Sequence, residues 1–251
     1  MNEISILATV FQNQLKLVEY RGFSLPPWQQ TAKTYTEEEF LNLLARNNAT
    51  TERKQRSFLT TLYETPSSDM ASSDMTSSDM TSSTPFLSDR IDQSDSTARK
   101  LLVFYSANSS KTDTQDVKSF KAECFKHKVT DAVFITGDNL IAGAVRELEK
   151  IKMYPKPGRF QVFRDSDLMF CPIEHILTPK HERIPTDGVA PLLAALQTST
   201  NKMPFIYSND PIVKWYGWTV GDIIKIYRDD NTKITVKKSY QYRAVVPMEF
   251  K

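Results

Sequence analysis

Apolar positions along the chain change their period several times, and each change marks an element. Ile4, Leu7, Ala8, Phe11, Leu15 and Val18 recur at spacings of three and four, the stripe of one helix running to Tyr20. Gly22, in the step Arg21-Gly22-Phe23, supplies its stop, and Pro26-Pro27 break the chain. Thr36, with Glu39 three residues on, makes a capping box for a second helix whose buried face is Phe40, Leu43 and Leu44. Residues 57–64 read as a strand. After a long polar interval, 101–106 is a continuous apolar strand of the fully buried kind. Residues 117–126 then fit a helix with Val117, Phe120 and Phe125 inward, and 131–136 a second buried strand. Gly137-Asp138-Asn139 turn into a helix with Ile141, Val145 and Leu148 on one face, and 160–170 supplies a third strand. Alternation of strand and helix at this spacing predicts a small α/β domain with parallel or mixed pairing, preceded by a helical lead.

Beyond residue 170 the pattern is different. A short helix over 189–196 carries Pro191 at its start, and 210–228 packs several signals into one turn of helix and a ribbon. Asp210 is a capping acceptor and Pro211 suits the first helical position, where a missing N–H costs nothing. Ile212, Val213, Trp215 and Tyr216 make that turn apolar. Gly217 falls where helices end in the left-handed region, and Trp218 can pack back on the last turn. Val220-Gly221-Asp222 turns the chain. Ile224 and Ile226 alternate with Lys225 and Tyr227 in a strand, Asp229-Asp230-Asn231 is a hairpin loop, and Ile234 and Val236 lie in the returning strand. Nothing in this stretch is a catalytic constellation.

Charge changes the picture in two places. The formal net charge is only +2, but residues 171–251 carry 11 Lys/Arg against 8 Asp/Glu, and residues 65–98 carry 1 basic residue against 6 acidic. A weakly basic end domain is compatible with a nucleic-acid machine without requiring one. The acidic interval contains the repeat SSDMA-SSDMT-SSDMT, too poor in apolar side chains to offset its ordering entropy, so it reads as a disordered insertion. Its Ser-Ser-Asp units are also candidate phosphorylation sites, although a bland low-complexity tract is the plainer reading. Arg53, Lys54 and Arg56 form a small basic cluster, either a contact to DNA phosphates or a solvated loop, the latter being the commoner case. Cys124 and Cys171 lack metal-ligand spacing and read as buried free thiols. His175 and His181 have no third ligand nearby, so no metal site is expected. No apolar run reaches the roughly 20 residues of a membrane span and no signal-peptide core is evident, so an intracellular, soluble protein is expected, with no membrane partner.

The run MPFIYSNDPIVKWYGWTVGDIIKIYR resembles the C-terminal assembly module of the small jaw subunit shared by eukaryotic RNA polymerases I, II and III, a family with an archaeal counterpart. The matching residues are Pro204, Ile206, Asp210-Pro211, Tyr216-Gly217, Gly221 and Arg228. Upstream, Glu174-His175, Leu177, Pro179 and His181 resemble the family's Glu-His-x-Leu-x-Pro-x-His entry into the same module, and Arg21-Gly22-Phe23 its Arg-Gly-aromatic step. Two motifs in order make the resemblance specific over 170–246; before that it rests mostly on the order of elements. It implies a jaw-like α/β domain over 1–164, interrupted at 65–98, and a compact α+β helix-and-hairpin assembly module over 165–251. It further implies a subunit without catalytic residues or cofactors. Its module would dock on the largest subunit of DNA-directed RNA polymerase, among other subunits. Its jaw would lie near downstream duplex DNA, bound weakly and without sequence preference. Localisation would be nuclear for a cellular enzyme, and a cytoplasmic factory or virion for one encoded by a large DNA virus. Two departures stand out: the polar insertion replaces a shorter loop, and Gly137-Asp138-Asn139-Leu140 stands where the family often has a proline.

Other classes of function remain open at this point. A nuclease or nucleotide-binding enzyme would use Gly137 at a strand-to-helix turn, or Glu147, Glu149 and Lys150 with Asp138. One glycine is far short of a phosphate loop, and the carboxylates fall on a helix instead of a strand end. A third reading is an adaptor that carries only the assembly module.

Overall fold

The computed structural model describes residues 3–46, 56–65, 99–107, 112–129, 131–137, 140–152, 159–229 and 238–248. The polar insertion, Arg53, Lys54, Asp138, Asn139 and the hairpin positions 230–237, with Ile234 and Val236, lie outside them. The described residues divide into two compact units, the first ending at Cys171 and the second beginning at Pro172. Each is a mixture of helices and sheet.

The first unit opens with α1 (Glu3–Tyr20), which buries Val10 and Leu17 as well as the expected Ala8, Phe11, Leu15 and Val18. A helix buried over so much of its circumference is a core element and not a surface stripe. It ends as the sequence demands: Gly22 N–H donates to Glu19 O at 2.8 Å and Phe23 N–H to Val18 O at 3.2 Å, a Schellman pair. Pro26-Pro27 does more than break the chain. Pro27 occupies the first position of a short α2 (Pro27–Ala32). The capping box forms at α3 (Glu37–Arg46), with Glu39 N–H donating to Thr36 Oγ1 at 3.3 Å and Thr36 N–H to Glu39 Oε2 at 2.7 Å.

Residues 56–59 form a single 3-10 turn, so the strand expected from 57 begins only at β1 (Thr61–Glu64). Then follow β2 (Lys100–Tyr105), α4 (Thr114–His127), β3 (Asp131–Thr136), α5 (Ala142–Lys152) and β4 (Arg159–Arg164). The sheet order is β1-β2-β3-β4, with β1 antiparallel to β2 and the rest parallel. Side chains alternate across it. Leu102, Phe104, Ala132 and Phe134 meet Val117 and Phe120 of α4 and Ala144 and Leu148 of α5. On the opposite face Tyr105 donates its hydroxyl hydrogen bond to Gln14 of α1 at 3.4 Å. Both faces are thus covered, which explains why β2 and β3 read as unbroken apolar runs.

Two inward assignments fail here. Phe125 is 62% exposed, because five residues from Phe120 amount to about 140° of helix rotation. Val145 is exposed because Ala144, one residue earlier, takes the inward position. The third strand also stops early, at Arg164, in a 3-10 turn (Asp165–Leu168). Asn13 of α1 holds that turn by donating to Leu168 O at 2.8 Å.

The second unit contains β5 (His181–Arg183), α6 (Thr186–Ala195), β6 (Phe205–Tyr207), α7 (Pro211–Tyr216), β7 (Ile223–Asp229) and β8 (Lys238–Val246). Its sheet has the order β5-β7-β8-β6, with β6 parallel to β8 and the other pairs antiparallel. One face packs Ile206, Ile224, Ile226 and Val245 on Val213 and Trp218, under α7. The other packs Met203, Ile223 and Ala244 against Val189, Leu192 and Leu193 of α6. The returning strand is described from Lys238, which lies opposite Asp229.

Candidate assembly surface

The helix α7 is built as its sequence implies. Asp210 accepts from Ile212 N–H at 2.9 Å, and Pro211 begins the turn. Gly217 closes it at φ 69°, donating to Lys214 O at 3.1 Å, while Trp218 N–H donates to Val213 O at 3.1 Å. Reversing the chain there brings Trp218 flat against Tyr216, ring centroids 4.3 Å apart and 7° from parallel. This stacked pair braces one wall of a cavity of about 210 Å³, whose lining includes Tyr216, Ile212, Ile173, Thr178, Pro179 and His181.

His181 enters the cavity from β5. Its Nδ1 donates to Pro179 O at 2.6 Å, which fixes the ring orientation. Burial, aided by Arg243, holds its pKa below the usual histidine value against the opposing pull of Pro179 O and Asp210. Upstream, a turn closes with Thr178 N–H donating to His175 O at 2.8 Å, and His175 Nδ1 accepts from Leu177 N–H at 3.2 Å. The turn leaves Ile176 93% and Leu177 82% exposed. Leu177 precedes Thr178, which lines the cavity, so two aliphatic side chains lie in water next to it in the chain, the kind of exposed apolar pair that contact surfaces use.

The expected site residues therefore separate into two kinds. Pro179, His181 and Tyr216 line the cavity; Glu174 and His175 lie in the exposed segment leading to it; Asp210 and Pro211 start the helix that walls it. Pro204, Ile206, Gly217, Gly221 and Arg228 do not line it. Ile206 is core, Pro204 O accepts from Ala244 N–H at 2.9 Å, and Gly221 N–H donates to Val245 O at 3.0 Å. Arg228 lies further along β7. Ile173, Ile176 and Ile212 join the surface without having been expected there. Their signal is present in the chain, since Ile173 and Ile176 are apolar positions among turn residues with no periodic partner.

One DNA-facing candidate requires correction. Arg56 is 4% exposed, and its guanidinium grips Asp165 in a bidentate pair, Nη1 to Oδ2 at 2.6 Å and Nη2 to Oδ1 at 2.5 Å. It also sits 5.5 Å from the Tyr105 ring centroid. The 3-10 turn that replaces the expected strand turns this cation inward. Of the residues of the enzyme reading, Asp138 and the Glu149 side chain lie outside the described residues. Glu147 is bound to Lys150 at 2.6 Å on the exposed side of α5, and among the described residues no group of three or more His, Cys, Asp or Glu could hold a metal ion.

Residues 170–245 match the family described as RNA polymerase Rpb5, C-terminal domain. The chain is 33% identical over 73 residues to "DNA-directed RNA polymerase subunit Rpo5" of Methanocaldococcus jannaschii, covering 29% of this chain and 90% of that relative. The chain belongs to the Rpb5 family. More distant Rpb5 relatives align over a longer stretch. "DNA-directed RNA polymerases I, II, and III subunit RPABC1" of Caenorhabditis briggsae is 24% identical over 156 residues, 62% of this chain and 71% of the relative. "DNA-directed RNA polymerase V subunit 5A" of Arabidopsis thaliana is 23% identical over 145 residues, 57% of this chain and 62% of the relative. Within the Rpb5 match fall all the residues just described around the cavity.

Proposed function

We propose that this chain is a non-catalytic subunit of a nuclear DNA-directed RNA polymerase, and that its second unit docks on the largest subunit. The observation that carries this reading is the exposed Ile176-Leu177 turn beside the cavity walled by α7. Burying two aliphatic side chains is worth on the order of 1.5–3 kcal/mol each, and the fold itself leaves them in water. His175, Pro179, His181, Ile212 and Tyr216 complete the contact. Asp210, Pro211, Gly217, Gly221, Pro204 and Ile206 hold its shape, and Glu174 and Arg228 supply charge on either side.

The first unit serves as a jaw domain near downstream duplex DNA. Its contact to DNA is weak and independent of sequence, with Arg53 and Lys54 as phosphate-facing candidates. Arg56 is not among them, because its charge is already matched by Asp165.

The test is affinity purification of the tagged full chain from its own cells. Recovery of the largest polymerase subunit with the wild type, and its loss with Leu177→Asp or Ile212→Asp, is expected. Full recovery with both variants would show that docking uses another surface.

A further inference from the structure

Among the described residues, α6 covers the face of the second sheet opposite α7 at one end only. At the end nearest Ile223 and Ala244, α6 packs on it. Among the described residues that packing reaches Tyr242 and stops, and the next positions toward the hairpin are Lys225, Tyr227 and Tyr240. They belong together by register: Lys225 lies opposite Tyr242, and Tyr227 opposite Tyr240. Tyr240 is 52% exposed. Its ring meets that of Tyr227 at 5.4 Å and 89°, so one ring turns its edge to the other's face.

Cations lie over these rings. Lys225 Nζ is 4.1 Å from the Tyr240 centroid and 4.7 Å from that of Tyr227, and Lys180 Nζ is 5.3 Å from Tyr227. The carboxylate at the edge, Glu182, is already engaged: Lys180 holds Oε1 at 2.6 Å and the Tyr227 hydroxyl donates to Oε2. The surface is therefore an aromatic platform with lysines laid across it and its neighbouring acid neutralised.

We infer that this platform, Tyr240 and Tyr227 with Lys225 and Lys180, is a binding surface for single-stranded nucleic acid. Unpaired bases stack on exposed aromatic rings, while lysines follow the backbone phosphates. A duplex hides its base faces and offers the rings nothing to stack on. An acidic peptide would satisfy the lysines but makes no use of the exposed Tyr240 ring. A base stacking on Tyr240 would have to displace the Lys225 ammonium, 4.1 Å from the ring centroid, and that ammonium would then be free to pair with a phosphate. Lys180 also lines the cavity of the docking surface, so the two surfaces share that residue, while Lys225, Tyr227 and Tyr240 lie on the face opposite α7.

The experiment is fluorescence anisotropy of labelled oligo(dT) and oligo(U) 20-mers with the purified full chain, at several salt concentrations, beside a duplex of equal length. Both single strands are expected to bind more tightly than the duplex; a preference between them tells whether DNA or RNA is the natural ligand. Tyr240→Ala should weaken binding about tenfold, and Tyr240→Phe should preserve it, since the ring and not the hydroxyl is used. Lys225→Gln should reduce the slope of log affinity against log salt by about 0.7, one phosphate contact on a single strand. That slope is read even if Tyr240→Ala loses its fold in a thermal melt. Equal affinity for duplex, an unchanged slope for Lys225→Gln, or displacement of the oligonucleotide by polyglutamate at equal charge would each overturn the proposal.

Discussion

The two units treat their cations in opposite ways. In the first, arginines turn inward: Arg56 is clasped by Asp165 beneath Tyr105, and Arg99 pairs with Asp131 at 2.5 Å while lying 5.2 Å from the Phe23 ring centroid. In the second, lysines lie across tyrosines that face solvent. The difference follows from how each sheet is covered. Helices close both faces of the first sheet, so a polar group drawn in must find its partner inside. The second sheet is closed by α7 on one side and only partly by α6 on the other, which leaves side chains to offer to other molecules. A count of basic residues therefore says little about which ones meet a partner. Each unit has an exception: Lys121 lies 6.0 Å from the centroid of the exposed Phe125 ring in the first, and Arg183 pairs inward with Asp222 at 3.4 Å in the second.

The largest effect separating the units should come from the buried pair. Arg56→Ala strands the Asp165 carboxylate, and losing one partner of such a pair costs about 3–5 kcal/mol. Limited proteolysis of the full chain should then cut first within the elements of the first unit, outside 65–98. Replacing both partners, Arg56→Met with Asp165→Leu, should recover most of the loss, because the pair serves the fold and no ligand. Retained stability in the single variant would mean that the pair is only a surface contact.

A smaller effect is expected at the end of α7. Gly217→Val places a β-branched residue at φ 69°, at a cost on the order of 1–3 kcal/mol, and loosens the Trp218–Tyr216 stack. Asp210→Ala removes one cap and should cost about 1 kcal/mol. Both are read by proteolysis at the second unit while cleavage of the first stays unchanged.

These elements were legible in the sequence because their signals are local. Asp-Pro followed by aromatic-Gly fixes a capped turn within eight residues, and Thr36 with Glu39 fixes another. The inward turn of Arg56 was not legible, since its partner is 109 residues away and a basic cluster looks the same whether solvated or paired. Phe125 misled for a different reason. Hydrophobicity marks a residue as able to be buried, but only the helix phase set by Val117 and Phe120 decides whether it is. The platform of Tyr227 and Tyr240 was hidden as well, because it depends on which strands pair and on how far α6 extends.

The smallest effect is in pH. Burial lowers the pKa of His181, so in the folded state it resists a proton that the unfolded chain accepts near the ordinary value of about 6.5. Its contribution to stability is full above that value and is lost as pH falls through the lower folded one. The second unit should thus soften between about pH 6.5 and mildly acidic conditions, and His181→Gln should flatten that dependence in a pH series of thermal melts. An unchanged slope would place the titration elsewhere.

If the second unit carries the chain into a polymerase, one change at the end of α7 should remove the chain from the complex. Full-length Gly217→Val, expressed in place of the wild type, is assayed for copurification with the largest subunit, and proteolysis checks that the elements of the first unit outside 65–98 stay folded. The variant should be lost from the complex while the first unit remains intact. Normal incorporation of a variant whose α7 terminus is demonstrably disrupted would contradict that role of the second unit.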